Sequence, residues 1–311
     1  MDTAPSPAWL PADKVKHLLT HWRSTRDENA QRLTTAFGTG RVTSLVHNVD
    51  EEPVVVLDAG IQFFYDRPKY RLHLAYDRRL EENVRSVANT EMPSPRWVDS
   101  PITEQVIVFD GDKLISIEVR GRQTTGALYF GFARLAVMRA AGFPFEDPIH
   151  LWTQAINLDN VQPSEVRVMP MSDGSFVMEV PKSTYRLKLV FFDSFGYDLR
   201  RVSSIRTGET QPFRDFLMRW ETSGQVHYVQ RFVNEVTSAA QDTAAAASNV
   251  RRLVVDFQQF HANVAIDPQV FELASLSLPD GTLFLDKRIN VEGGPQRLRV
   301  RNGDLETSAT Q

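Results

Sequence analysis

The sequence predicts an α+β fold built on one strongly curved antiparallel sheet. Three observations carry this expectation. From Phe176 to Val236, apolar and polar residues alternate with period two. Turn-type residues (Ser194-Phe195-Gly196, Thr207-Gly208-Glu209, Ser223-Gly224) break that run about every 8–12 residues, the spacing of a meander rather than of βαβ units. A second alternating pair, Ile61-Phe63-Tyr65 and Tyr70-Leu72-Leu74-Tyr76, flanks the turn residues Asp66-Arg67-Pro68.

Taken in order, Met1 to Asp13 holds Pro5, Pro7 and Pro11 and is expected to be a flexible leader. Lys14 to Leu33 is predicted to be helical, with Asp13 as its N-cap. Val15, Leu18, Leu19 and Trp22 share one face at i, i+3/i+4, i+7 spacing. Arg41–Asn48 and Val54–Tyr65 are predicted strands. Arg78–Pro101 is polar, holds Pro93, Pro95 and Pro101, and is expected to be a short helix or loop. Glu104–Asp110 and Lys113–Arg120 form a hairpin about Asp110-Gly111-Asp112. Ala127–Ala141 changes period and is predicted to be a buried helix, with Gly142 at C′ and Pro144 beyond it. A second mid-chain helix is expected from Asp147-Pro148 onward, carrying Ile149, Trp152 and Ile156. Thr237–Asn249 is rich in Ala, Ser and Thr and is expected to be a hairpin loop. Val250–Phe260 is a further strand. Residues 289–311 are polar and expected to be a disordered tail.

Composition bounds the chemistry. The chain has 311 residues and no cysteine. That excludes disulfides, Cys-ligated metal centres and a Cys nucleophile. A net charge of −4 and a pI near 6.0 lack the basic footprint of a nucleic-acid binder. No apolar run reaches the roughly 20 residues that span a bilayer as a helix. Met1–Asp13 also lacks the basic and apolar regions of a signal peptide. The expectation for location is therefore two-fold: periplasm or cell envelope if a signal has been removed, cytoplasm otherwise.

No catalytic constellation stands out, and the chain is expected not to be an enzyme and to need no cofactor. Asp110-Gly111-Asp112 lacks the further oxygen ligands and closing Glu of a calcium loop. His17 and His21 are four apart on the first helix, but no third ligand lies near them in sequence. Walker A, G-x-G-x-x-G and G-x-S-x-G patterns are missing. What remains is a surplus of large apolar residues on strands. Tyr70, Leu72, Leu74, Leu187, Leu189 and Trp220 are the candidate lining of an apolar cavity. The competing reading of the same residues is a filled core.

The order of elements resembles the LolA/LolB-like lipoprotein-carrier superfamily, especially its divergent LolA-like, outer-membrane lipoprotein-sorting members. The residues that carry the resemblance are the first helix, the hairpin Ile61-Gln62-Phe63-Phe64-Tyr65-Asp66-Arg67-Pro68-Lys69-Tyr70-Arg71-Leu72, the Asp110-Gly111-Asp112 turn and the closing Asn263…Ile266-Asp267-Pro268…Phe271-Glu272-Leu273. It spans residues 14–288, which form one domain on this reading. It implies an incomplete barrel of about eleven antiparallel strands that curls without closing, with helices over its concave side. It also implies non-enzymatic binding or transport of acyl chains of lipid or lipoprotein, with an envelope protein as a further partner. The alternative is an interaction or envelope-sensor module on the same fold with a filled core.

Overall fold

The computed structural model describes residues 9–48, 52–83, 96–143, 145–146, 149, 158, 161–192, 198–238, 249–291 and 294–307. In chain order the elements are α1 (Ala12–Arg32), β1 (Thr35–Asn48), β2 (Val54–Asp66), β3 (Lys69–Asn83), β4 (Arg96–Asp99), β5 (Ile102–Phe109), β6 (Lys113–Arg120), β7 (Gln123–Phe130), α2 (Arg134–Ala140), β8 (Arg167–Pro170), β9 (Ser175–Pro181), β10 (Tyr185–Phe192), β11 (Asp198–Arg206), β12 (Arg214–Ser223), β13 (Val226–Ser238), β14 (Asn249–Ala262), β15 (Leu283–Val291), β16 (Gly294–Arg301) and β17 (Asp304–Thr307). Single 3₁₀ turns lie at Gly131–Ala133, Pro163–Glu165, Pro268–Phe271 and Leu273–Leu276. The expected antiparallel sheet with an N-terminal helix is present. Its strands number seventeen among the described residues, against about eleven expected. The chain forms two compact units rather than the single domain expected over 14–288. Unit 1 holds Met1–Leu33, Val46–Pro53 and Ile149–Asp256; unit 2 holds Thr34–Leu45, Val54–Pro148 and Phe257–Gln311.

Unit 1 is a meander. β8 pairs with β9, β9 with β10, and the ladder continues through β11, β12 and β13 to the first part of β14, every pair antiparallel. Directly opposed residues share a face. One cross-strand row therefore runs Val168–Met178–Leu189–Val202–Phe216, and all five are buried. α1 lays its own buried residues, Val15, Leu19 and Trp22, at i, i+4 and i+7. Its N-cap is Pro11, without a side-chain cap; the expected cap, Asp13, sits inside the first turn, where a negative charge suits the helix dipole.

In unit 2, β2 and β3 form the expected hairpin, with Phe63 opposite Leu72 and Tyr65 opposite Tyr70. β5 and β6 form the second, closed by Asp110, whose carboxylate accepts the backbone N–H of Asp112 and of Lys113 at 3.0 and 2.9 Å. β3 pairs with β5, β5 with β6, and β6 with β7, all antiparallel. β15 then runs parallel to β7 and is followed by antiparallel β16 and β17.

Three expectations are corrected. The helix expected over Ala127–Ala141 is strand β7 up to Phe130, and only Arg134–Ala140, seven residues, is α-helical. Leu128, Phe132 and Leu135 fall at helical spacing by coincidence, because a strand runs straight into a short helix. The helix does end as expected: Gly142 has φ +87°, and the N–H groups of Gly142 and Phe143 close onto the carbonyls of Arg139 and Met138. Second, the stretch after Arg78 continues as strand: β3 runs on to Asn83, and β4 pairs with it. Third, the expected disordered tail, residues 289–311, holds the end of β15 and all of β16 and β17, with Leu298 and Val300 buried. Gly126, just before the helix predicted over Ala127–Ala141, lies inside β7, where it pairs with Ile117 and Phe284. The helix expected after Asp147-Pro148 and most of the loop expected at 237–249 lie outside the described residues.

Gly126 has a packing role. A Cβ there would overlap the ring of Phe284, itself fully buried. Gly126→Val should therefore destabilise the protein by about 1–3 kcal/mol, the usual cost of overpacking a core. Urea unfolding checks this; an unchanged midpoint would mean that the Phe284 ring can move aside.

Candidate functional site

The six residues expected to line one apolar cavity fall into two sets, three in each unit. In unit 2, Tyr70, Leu72 and Leu74 occupy alternate positions of β3 and are buried. Their cross-strand neighbours are Tyr65, Phe63 and Ile61 on β2, and Phe109, Ile107 and Gln105 on β5. These side chains form packed core. Phe63 sits edge-on to Phe257 and tilted against Phe260, with ring centroids 5.3 and 5.9 Å away. The polar end of this face is satisfied by a small network. The Gln105 carboxamide accepts the Tyr76 hydroxyl at 3.0 Å and donates to Ser116 Oγ at 3.1 Å. Arg79 donates to the carbonyl of Ala140, the last residue of α2, and the Ala141 carbonyl just beyond it shares the single Tyr76 hydroxyl proton with Gln105, also at 3.0 Å. Burial pushes the Tyr76 phenol well above its ordinary pKa, so it stays a neutral donor.

In unit 1, Leu187, Leu189 and Trp220 share a face. Leu189 is fully buried; Leu187 and Trp220 are half-buried. Trp220 lies four residues beyond Phe216, at the same strand parity, and its indole N–H donates to the Leu199 carbonyl at 2.8 Å. The same face carries a cleft beneath α1, lined only by Leu18, Trp22, Val168, Phe176, Met178 and Phe191. Its volume is about 10 Å³. One of the expected six neighbours its lining through the sheet: Leu189 opposes Met178, whereas Leu187 opposes Val180, which does not line the cleft.

α1 is fixed over this cleft by apolar and polar contacts of different kinds. Trp22 meets Phe191 edge to face, with centroids 5.9 Å apart. Arg23 Nη2 donates to the carbonyls of Leu158 and Val161 at 2.6 and 3.0 Å. Near the helix C-terminus, the Asn29 carboxamide donates to the His227 carbonyl at 2.7 Å and accepts the His227 N–H at 2.8 Å. Burial, with Arg32 nearby, holds the His227 imidazole below its ordinary pKa. Arg23 and Asn29 escape sequence reasoning because their partners are backbone atoms more than 130 residues away. Trp22 and Leu18 were visible as part of the apolar helix stripe. His17 and His21 stack 6.5 Å apart on α1, and among the described residues no group of three or more His, Asp or Glu is placed to hold a metal ion.

A second, polar cleft of about 390 Å³ lies in unit 2. The sheet contributes Lys69 at the start of β3 and Asp110 and Lys113 from the β5–β6 turn; Glu272 and Phe271 come from the segment after β14, with Ile115 between them. Phe271 and Ile115 belong to a second apolar cluster of unit 2, with Val108, Leu128, Phe284 and Val300. The segment after β14 is pinned by the Asp267 carboxylate, which accepts the Gln269 N–H, and by the buried fit of Phe271. Farther along the same sheet face, the nearly fully buried Asp286 carboxylate grips Arg288 at 2.8–2.9 Å, which holds its pKa below the ordinary value.

Comparison with known proteins adds little. No family model matches the chain, and no curated protein matches it by sequence. Among solved structures, the chain is similar to a LolA superfamily protein from Nitrosomonas europaea. The match covers 80% of this chain and 96% of that one, at 11% identity and a TM-score of 0.36. A likeness at that level carries neither a ligand nor an activity from one protein to the other.

Proposed function

We propose that unit 1 binds an apolar ligand, an acyl chain of a lipid or lipoprotein, on the sheet face beneath α1, without chemical conversion. The observation that supports this most is the cleft lining: six side chains from one helix and three strands, all apolar, placed at the edge of a helix–sheet interface. Each CH₂ moved from water into such a lining contributes about 0.8 kcal/mol, so a single chain can supply most of the affinity. The cleft as it stands, about 10 Å³, holds no more than a water molecule. Small-molecule pockets are usually roughly 300–1,000 Å³. Binding therefore requires α1 to move off the sheet, with Trp22 and Leu18 leaving Phe191 and Met178 to make room. The polar ties of Arg23 and Asn29 are few and reversible, which suits such a motion. On this reading the protein works in the periplasm or cell envelope, where acyl chains need carriage through water, and hands its ligand to an envelope protein.

A second reading is favoured by the complete burial of Leu189 and its row: the face is filled core, and the protein is an interaction or sensor module. Titration of the delipidated protein with a fluorescent fatty-acid probe separates the two. The first reading expects saturable binding. It also expects Leu18→Gln, which changes a half-buried lining residue, to weaken binding by roughly tenfold, from the transfer cost of one polar side chain. Absence of saturable binding would favour the second reading.

A further inference from the structure

We infer that the polar cleft of unit 2 binds a small zwitterion with an apolar body, of the size of an apolar dipeptide. The inference is independent of the ligand under α1. At about 390 Å³ the cleft is large enough for such a molecule, and it already has an apolar floor in Ile115 and Phe271. Its charges are what select the ligand. Asp110 is fully engaged: it accepts two backbone N–H groups and faces the Lys113 ammonium at 3.6 Å. These two charges offset one another. Lys69 and Glu272 are different, because among the described residues neither side chain makes a hydrogen bond or an ion pair.

The two unpaired charges come from different parts of unit 2. Lys69 stands on the sheet, at the turn of the β2–β3 hairpin. Glu272 stands on the link between the 3₁₀ turns Pro268–Phe271 and Leu273–Leu276, the segment that covers Phe271 against the sheet. A simple anion would satisfy Lys69 but would meet the Glu272 carboxylate; a simple cation would do the reverse. A ligand carrying a carboxylate at one end and an ammonium at the other satisfies both. An apolar body between the two ends covers Ile115 and Phe271. In a free amino acid both charges sit on one carbon; in a dipeptide they are held apart by the backbone, as a cation and an anion from two different segments require.

The experiment is isothermal titration calorimetry of the whole chain with leucyl-leucine, its N-acetylated form and its C-terminal amide, against wild type, Lys69→Gln and Glu272→Gln. Lys69 is half-buried and Glu272 exposed, and circular dichroism confirms that each variant is folded. The expected result is one-site binding of the free dipeptide, weakened about tenfold by either substitution, as for loss of one charge-assisted contact. Lys69→Gln should weaken the acetylated form and leave the amide unchanged; Glu272→Gln should weaken the amide and leave the acetylated form unchanged. No saturable binding at millimolar dipeptide, equal binding of all three peptides, or sensitivity to only one of the two substitutions would overturn the inference.

Discussion

Leu189→Glu should destabilise the protein by about 4 kcal/mol or more, the range in which an unpaired buried charge places a mutation. Leu189 has no exposed surface, and its cross-strand neighbours Met178 and Val202 are both apolar and buried. None of these offers the new carboxylate a hydrogen bond or a cation. The group therefore remains protonated in the folded state to a higher pH than in the unfolded chain, so its folded pKa is raised. The sign follows from linkage. The variant is least impaired below the unfolded pKa, near 4.3, and loses further stability as pH rises from there through the raised folded value. Urea unfolding of the variant at pH 4 and pH 7 measures this. An equal loss at both pH values would mean that the carboxylate reaches water, and the row Val168–Met178–Leu189–Val202–Phe216 would then not be a closed interior.

Trp22→Ala should cost about 3–5 kcal/mol, as for other buried aromatic truncations. Trp22 is only 6% exposed; it packs edge-on to Phe191, and the Arg26 guanidinium lies 5.3 Å from its ring centroid on the outer side. The substitution removes one of the side chains that hold α1 on the sheet and enlarges the cleft below. The consequence for ligand binding is of opposite sign to that for stability. If α1 must move aside to admit an acyl chain, Trp22→Ala opens that space in advance, and the probe should bind the folded variant at least as well as wild type. Thermal unfolding checks the first effect; a loss below about 1 kcal/mol would make α1 peripheral.

The hairpins were readable because their alternation and turn chemistry agree. Tyr70-Leu72-Leu74 and Ile61-Phe63-Tyr65 alternate cleanly, and Asp110 caps its own turn, so neither needs distant information. The α1 stripe was readable for the same reason. β7 was not, since Gly126 and Ala127 carry no strand preference; Gly126 leaves room for the Phe284 ring, a contact between residues 158 apart in sequence. In the tail, charge masks the pattern. Arg297, Arg299 and Arg301 alternate with Leu298 and Val300, and Asn302-Gly303 follows, with φ of +49° and +85°. Asn-Gly between alternating residues is a strong short-range hairpin signal, and it closes β16 on β17. The sites were less readable than the fold. Alternation tells which residues share a strand face, but the six proposed cavity residues belong to two units that only the pairing order separates. The charged cleft draws on residues 69, 110–115 and 268–273, which no local pattern unites.

The central claim is that an apolar chain occupies the face beneath α1. Native mass spectrometry of the protein purified without detergent, followed by lipid extraction, tests it most directly. The account predicts a stoichiometric adduct of one acyl-chain lipid, lost on delipidation and much reduced in Leu18→Gln. A bare polypeptide mass, with no lipid extracted and none taken up from added fatty acid, would contradict it.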